Sequence, residues 1–171
     1  MSLRILPLLL LVLFAAPAWA AHSLPVVEDL RAEARQAEAA NLPILLLVSS
    51  EHCSYCRLVE ENFLGPMSGN PGYRAKVLIR RLDLDRSVVR DFDGTATSPR
   101  QLATRYGATL TPTVLFLNAR GEEIAPRIVG IANEYFYGGE LDEGIDAARS
   151  RLQKPGLTAA DAGAPRPGAD G

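Results

Sequence analysis

The chain has 171 residues, a formal net charge of −2, 22% charged residues and only two cysteines. Charges of both signs are interspersed without a sustained basic patch, so nucleic acid is not an expected partner. No internal repeat is visible, and with the two ends set aside about 130 residues remain, which suits one domain with one core and leaves no room for a second.

The first residues read as a processing signal. Arg4 supplies the charged start, Ile5 to Phe14 the apolar stretch, and Ala18-Trp19-Ala20 a small-x-small cleavage site, so residues 1–20 are expected to be a signal peptide and the mature chain to start near Ala21. An uncleaved membrane anchor is the other reading, but the apolar run is short for a spanning helix and no second run follows. Periplasmic export is therefore expected. No cysteine follows the cleavage site to carry a lipid. Beyond Lys154 the chain turns to Pro, Gly, Ala and Asp, so residues 155–171 are expected to be a disordered tail and residues 21–154 the folded domain.

Val26, Val27, Leu30, Ala34 and Ala37 recur at helical spacing, with Glu28 and Asp29 at the positive end of the helix dipole. Asn41-Leu42-Pro43 stops that helix. Ile44 to Val48 is an unbroken apolar run, as expected of a strand covered on both faces. Leu58, Val59 and Phe63 then continue at helical spacing to Gly65-Pro66, so Cys53 and Cys56 fall at a strand-to-helix junction. Gly65 to Gly72 reads as a loop, and Lys76 to Leu84 as a strand whose Arg80 and Arg81 mark a solvated end.

Ser98-Pro99-Arg100-Gln101 is a capping box with proline at the first helical position, and Gly107 is placed to end that helix. Thr111-Pro112-Thr113 enters the strand Val114 to Leu117. After a turn at Asn118 to Gly121, Ile124 to Val129 returns as its partner. Pro126 lacks a ladder donor, which puts this strand at an edge or at a bulge. Leu141, Ile145, Ala148 and Leu152 mark a closing helix. The order α, β, α, β, α, β, β, α implies a sheet with parallel and hairpin portions and helices on its faces.

Two cysteines in an exported chain usually mean a structural disulfide. This one would close a loop of about four residues, for which chain entropy returns roughly 2 kcal/mol against about 3 for a fifteen-residue loop. A redox role uses the placement better. A sulfur at the first turn of a helix meets unpaired N–H groups and the positive dipole end, both of which favour thiolate over thiol, so Cys53 is read as the nucleophile. Cys56 lies one turn on, with Cα atoms expected at about 5 to 6 Å, and can resolve a mixed disulfide without large backbone motion.

A strand, then Cys53-Ser54-Tyr55-Cys56 at a helix start, then a later Thr-Pro opening a strand resemble the thioredoxin superfamily over Val26 to Leu152. Within it, Glu51 to Phe63, Asp91-Phe92-Asp93-Gly94, Leu102 to Gly107 and Thr111-Pro112-Thr113 are similar to periplasmic thioredoxin-like proteins, including those associated with bacterial sulfur oxidation. The resemblance implies an α/β thioredoxin-like fold, a central mixed sheet with helices on both faces. It also implies that Cys53 attacks, that Cys56 resolves, and that Pro112 is a cis-proline lying against the disulfide. Thr111 would then pair with an incoming substrate chain, with Ser54 and Tyr55 also on the substrate side.

Two features depart from thioredoxin itself. His52 and Ser54-Tyr55 replace its Trp and Gly-Pro, and the middle pair is closer to that of glutaredoxins and disulfide isomerases. Six residues before the first cysteine, where thioredoxin has a buried carboxylate, this chain has Leu47. Glu51 is one candidate for the missing proton acceptor, a solvated loop acid being the other reading. His52 either lowers the Cys53 pKa or is an exposed loop residue.

No metal or cofactor is expected. Beyond the cysteine pair only His22 and His52 could join a zinc site, and Arg57 stands where covalent haem attachment needs His. Asp91-x-Asp93-Gly94 resembles a calcium-loop fragment but lacks the remaining ligands, so a plain turn is the expectation. Tyr135-Phe136-Tyr137 is read either as packing of the last helix or as a partner surface.

The functional expectation is an exported thiol-disulfide oxidoreductase acting on a disulfide-bearing protein or small thiol, as a reductase recharged by a membrane thiol-redox partner. The alternative is a non-catalytic binding module with a static Cys53–Cys56 bridge.

Overall fold

The computed structural model describes residues 23–154. The segments read as signal peptide and tail, 1–20 and 155–171, lie outside the described residues.

Helix α1 spans Leu30–Ala40 and begins later than its apolar spacing suggests. Asp29 is its N-cap and accepts from the N–H groups of Arg31 and Ala32. Val26 and Val27 are extended instead. Val26 bridges in parallel to Arg81, and Val27 N–H donates to the Arg81 carbonyl at 2.9 Å. A β-branched pair directly after Pro25 suits an extended chain, and Asp29 caps better than it continues a helix. The helix ends at Asn41, whose φ of 51° closes the last turn.

Strand β1, Ile44–Ser49, is buried at every residue. It pairs in parallel with β2, Leu78–Asp83, and antiparallel with β5, Thr113–Leu117, which pairs antiparallel with β6, Glu123–Val129. The resulting order, β2-β1-β5-β6, is the mixed sheet expected. Pro126 is exposed on the edge strand β6, whose pairing with β5 carries register shifts.

Alternate residues of β1 face opposite ways, which explains its unbroken apolar run. Leu46 and Val48 pack with Leu30 and Ala37 of α1 and with Leu102 and Ala103 of α5, Pro99–Arg105. Leu45 and Leu47 pack with Val59, Leu64 and Met67, and with Tyr137, Leu141 and Ile145 of α6, Glu134–Gln153. Helices therefore cover both faces. Burying each such leucine contributes about 1.5 to 3 kcal/mol. The Ser98/Gln101 capping box of α5 is fully formed.

The cysteine-bearing helix does not stop at Gly65-Pro66. Helix α2, Ser54–Val59, runs into a π turn at Glu60–Leu64 and on into α3, Gly65–Gly69; after Asn70 a short α4, Pro71–Arg74, follows. The Gly65 N–H reaches back to the Glu60 carbonyl, the wide turn of a π segment, just ahead of a proline that has no N–H to place. Most of the expected loop is thus helical.

Arg80 and Arg81 are not a solvated end. They stand inside β2, with Arg80 Nε 2.6 Å from Glu33 Oε2 and Arg81 Nη1 3.1 Å from Glu60 Oε2, and their side chains are only 13% and 29% exposed. The other Glu60 oxygen accepts the Leu24 N–H at 3.1 Å, tying the start of the domain to the π turn. A hairpin of β3, Val89–Arg90, and β4, Ala96–Thr97, was not anticipated. Its turn is Asp91-Phe92-Asp93-Gly94: Asp93 Oδ1 accepts the Thr95 N–H, Asp91 ion-pairs with Arg105, and Gly94 has φ 89°. Both acids are used in building this turn.

Gly144 on α6 sets how closely that helix approaches β5. A Cβ there would fall 2.2 Å from Cζ of Phe116, a ring with no exposed surface in which to move. Gly144→Ala is expected to destabilise the fold, because overpacking costs about 1 to 3 kcal/mol while the gain in helix propensity is at most about 1. A thermal melt checks this; an unchanged or higher midpoint would show that the ring yields.

Candidate active site

The end of β1 delivers the chain to the site. Ser49 is the last strand residue, Ser50–His52 turn the chain, and Cys53 is the N-cap of α2 with extended backbone. Its N–H donates to the Ser50 carbonyl at 3.2 Å, and its Sγ accepts the Cys56 N–H at 3.1 Å. The sulfur thus shares one of the first-turn donors with the Cys53 carbonyl, which accepts the same N–H at 3.1 Å, a part usually played by Ser or Asp oxygen.

Cys53 and Cys56 form a disulfide with Cα atoms 5.2 Å apart, within the range expected from their spacing. Their surroundings differ. Cys53 is partly exposed, whereas Cys56 is 1% exposed and faces the core. Between them Ser54 and Tyr55 are exposed, Tyr55 by 61%. Once the pair is reduced, only Cys53 combines solvent access with a helix-terminal field, the conditions that favour a reactive thiolate.

The register Val48↔Thr113 brings the start of β5 beside the end of β1. The Thr111–Pro112 peptide just before it is cis, with Pro112 buried and Thr111 partly exposed. The Pro112 carbonyl accepts the Gly130 N–H at 2.8 Å. Among the described residues no backbone hydrogen bond engages the N–H or carbonyl of Thr111. Leu110 beside it is 65% exposed.

Leu47 is fully buried and paired with Arg81 across the sheet, so an apolar side chain fills the position where thioredoxin carries its acid. Glu51 and His52 are both exposed. Sequence reasoning passed over Asp85. Its Oδ2 accepts the Glu51 N–H at 2.7 Å and its Oδ1 the Arg100 Nη2 at 2.5 Å. The Glu51 N–H, aided by Arg100 and by nearby His52 against a desolvation that works the other way, holds the Asp85 carboxyl below its ordinary range. Nothing in the residues around Asp85 marks it, because its partners are 34 and 15 positions away.

The aromatic triplet divides. Tyr137 is fully buried and meets Phe63 edge-on at 5.1 Å, and burial raises its hydroxyl pKa, whereas Tyr135 and Phe136 are exposed. Among the described residues no group of three or more His, Cys, Asp or Glu side chains could hold a metal ion. A cleft of about 400 Å³ along the outer edge of β2, lined by Ser23, Gln36, Leu42, Arg74 and Ile79, includes neither cysteine.

A mixed sheet between helical layers, with a Cys-x-x-Cys disulfide at the start of a helix, defines a thiol-disulfide oxidoreductase of thioredoxin type. The chain belongs to the thioredoxin-like domain family, whose model matches residues 30–142. Among solved structures it is similar to oxidised thioredoxin O2 from Arabidopsis thaliana, at 18% identity and a TM-score of 0.48 over 71% of this chain and 94% of that one. A thioredoxin-like protein from Clostridium perfringens is 20% identical, with a TM-score of 0.47 over 78% and 90% of the two chains. Poplar thioredoxin h is 17% identical, with a TM-score of 0.48 over 70% and 96%. No curated protein sequence matches the chain.

In the reduced protein, a limiting amount of alkylating reagent is expected to label Cys53 about tenfold or more ahead of Cys56. Peptide mapping by mass reads the order directly. Labelling of Cys56 first would reverse the assignment of the two sulfurs.

Proposed function

We propose that the protein is an exported reductase of disulfide-bearing proteins, in which Cys53 attacks and Cys56 resolves. The observation that carries this reading is the asymmetry of the pair: a partly exposed sulfur at the N-cap of α2 and a buried one a single turn later.

The Cys53 thiolate attacks one sulfur of the substrate disulfide, forming a mixed disulfide and expelling the other substrate sulfur as thiolate. Cys56, on losing its proton, attacks the Cys53 sulfur, closes the Cys53–Cys56 bridge and releases the second substrate thiolate. Two electrons pass from the dithiol to the substrate, and the two thiol protons balance the two thiolates released. Substrate main chain pairs with the free N–H and carbonyl of Thr111 as an added strand, beside Pro112, Ser54 and Tyr55.

Export is supported by Arg4, the Ile5 to Phe14 run and Ala18-Trp19-Ala20. An oxidising periplasm does not regenerate a dithiol, so the reading includes a membrane thiol-redox partner as electron donor. The direction, reductase, follows the sequence resemblance to periplasmic proteins associated with sulfur oxidation.

Redox titration tests the exchange role, with a potential expected between about −120 and −270 mV; a value far below about −300 mV would indicate a static structural bridge. In a second test, Cys56→Ser incubated with insulin is expected to accumulate a reducible adduct through Cys53, and a folded variant that forms none would end the exchange mechanism. Cell fractionation is expected to recover the protein in the periplasm with its N-terminus near Ala21. Recovery from the cytoplasm with Met1 retained would remove the export part of the proposal.

A further inference from the structure

The four-residue connection Ser50–Cys53 has to present a sulfur to the first turn of α2, and a carboxylate from elsewhere in the chain holds it. Asp85 lies just after β2 and bonds on two sides, to the Glu51 N–H at 2.7 Å and to Arg100 of α5 at 2.5 Å. The Asp85 segment is itself fixed. Leu84 N–H donates to the Ser49 carbonyl at 2.9 Å, and Asp85 N–H to Asp83 Oδ1 at 3.0 Å. From Glu51 the chain reaches Cys53 in two residues, and the Cys53 N–H closes the turn onto Ser50. A hydrogen bond from backbone N–H to an ionised carboxylate is among the stronger single contacts available to a loop.

We propose that Asp85 is a positioning residue of the thiol-disulfide site: by clamping the Glu51 N–H it holds Cys53 at the N-cap of α2, where the helix donors stabilise its thiolate. The proposal rests on the reading of Cys53 as the attacking thiolate. Asp85 does not touch the reacting sulfurs. It acts through the loop, and Arg100 both orients it and offsets its charge, so that a carboxylate near the thiolate does not undo the stabilisation it supports.

Removing Asp85 changes charge and geometry together, and two variants separate them. Asp85→Asn loses the charge and keeps an oxygen able to accept the Glu51 N–H, whereas Asp85→Ala loses both. The experiment follows the rate of Cys53 alkylation by iodoacetamide against pH in the reduced protein, with circular dichroism confirming the fold. Asp85→Ala is expected to raise the midpoint by about 0.7 of a pH unit relative to Asp85→Asn, which is about fivefold less thiolate below the midpoint. Asp85→Asn is expected to stay within about twofold of wild type.

Coincident Asp85→Ala and Asp85→Asn profiles would overturn the proposal, since the hydrogen bond would then have no effect on the sulfur. Should Asp85→Ala fail to fold, Asp85→Glu takes its place. It keeps the charge but displaces the oxygens, so wild type is its charge-matched reference, and the positioning role requires its midpoint to rise above that of wild type; a wild-type profile in Asp85→Glu overturns it. A wild-type midpoint at the ordinary cysteine value of about 8.5 would instead remove the thiolate reading beneath it, an outcome distinct from either comparison.

Discussion

Everything at the site follows from the confinement of β1. This strand is paired on both edges, by β2 and β5, and covered on both faces by helices, so none of its six residues reaches solvent. A chain held this way has one way out, at its C-terminal end, and it must turn there at once into the helix that covers Leu45 and Leu47. Cys53 sits at that exit. Its exposure and its position at a helix start are two results of one packing constraint, and the same constraint buries Cys56 a turn later. The β5 partner brings its own entry loop, with Thr111 and Pro112, to this end of the sheet, where the Gly130 N–H holds the Pro112 carbonyl and the Thr113 hydroxyl the Leu110 carbonyl.

Much of this was legible in the residues. An apolar run such as Ile44 to Val48, set between Pro43 and polar residues, admits few readings, and Ser98 to Gln101 writes its capping box openly. The cysteine spacing and placement were enough to indicate exchange chemistry. Misreadings arose where two local signals competed. Val26 and Val27 keep helical spacing with Leu30, yet they belong to an extended segment, because Asp29 is a better cap than a mid-helix residue. Gly65-Pro66 is a sound stop signal for an ordinary α-helix; the π turn ahead of it changes the hydrogen-bond pattern that the proline would have broken.

A second group of features depends on partners remote in sequence. Arg80 and Arg81 carry the local signature of a wet strand end, yet Glu33 and Glu60, 47 and 21 positions away, stand beside them. Truncating either acid would leave a partly buried guanidinium short of its counter-charge, so these pairs matter more to local geometry than surface ion pairs do. The β3–β4 hairpin, with two residues in each strand, is too short to leave a period of its own. Asp85 belongs to this group as well, because its role becomes visible only when the loop at Glu51 is folded against it.

Pro126 has a bearing on how the molecule meets other chains. β6 is an edge of the sheet, and an edge strand with a full row of free N–H and carbonyl groups recruits other strands without regard to their identity. Here the row is broken by a residue with no N–H and by the shifts in the β5–β6 register. On the opposite side, the bridge from Val26 to Arg81 occupies part of the β2 edge. The sheet thus has blunted margins at β6 and at part of β2, whereas the backbone groups of Thr111, at the entry to β5, make no backbone hydrogen bond among the described residues. Straightening β6 would restore that row and, with it, an edge open to any extended chain.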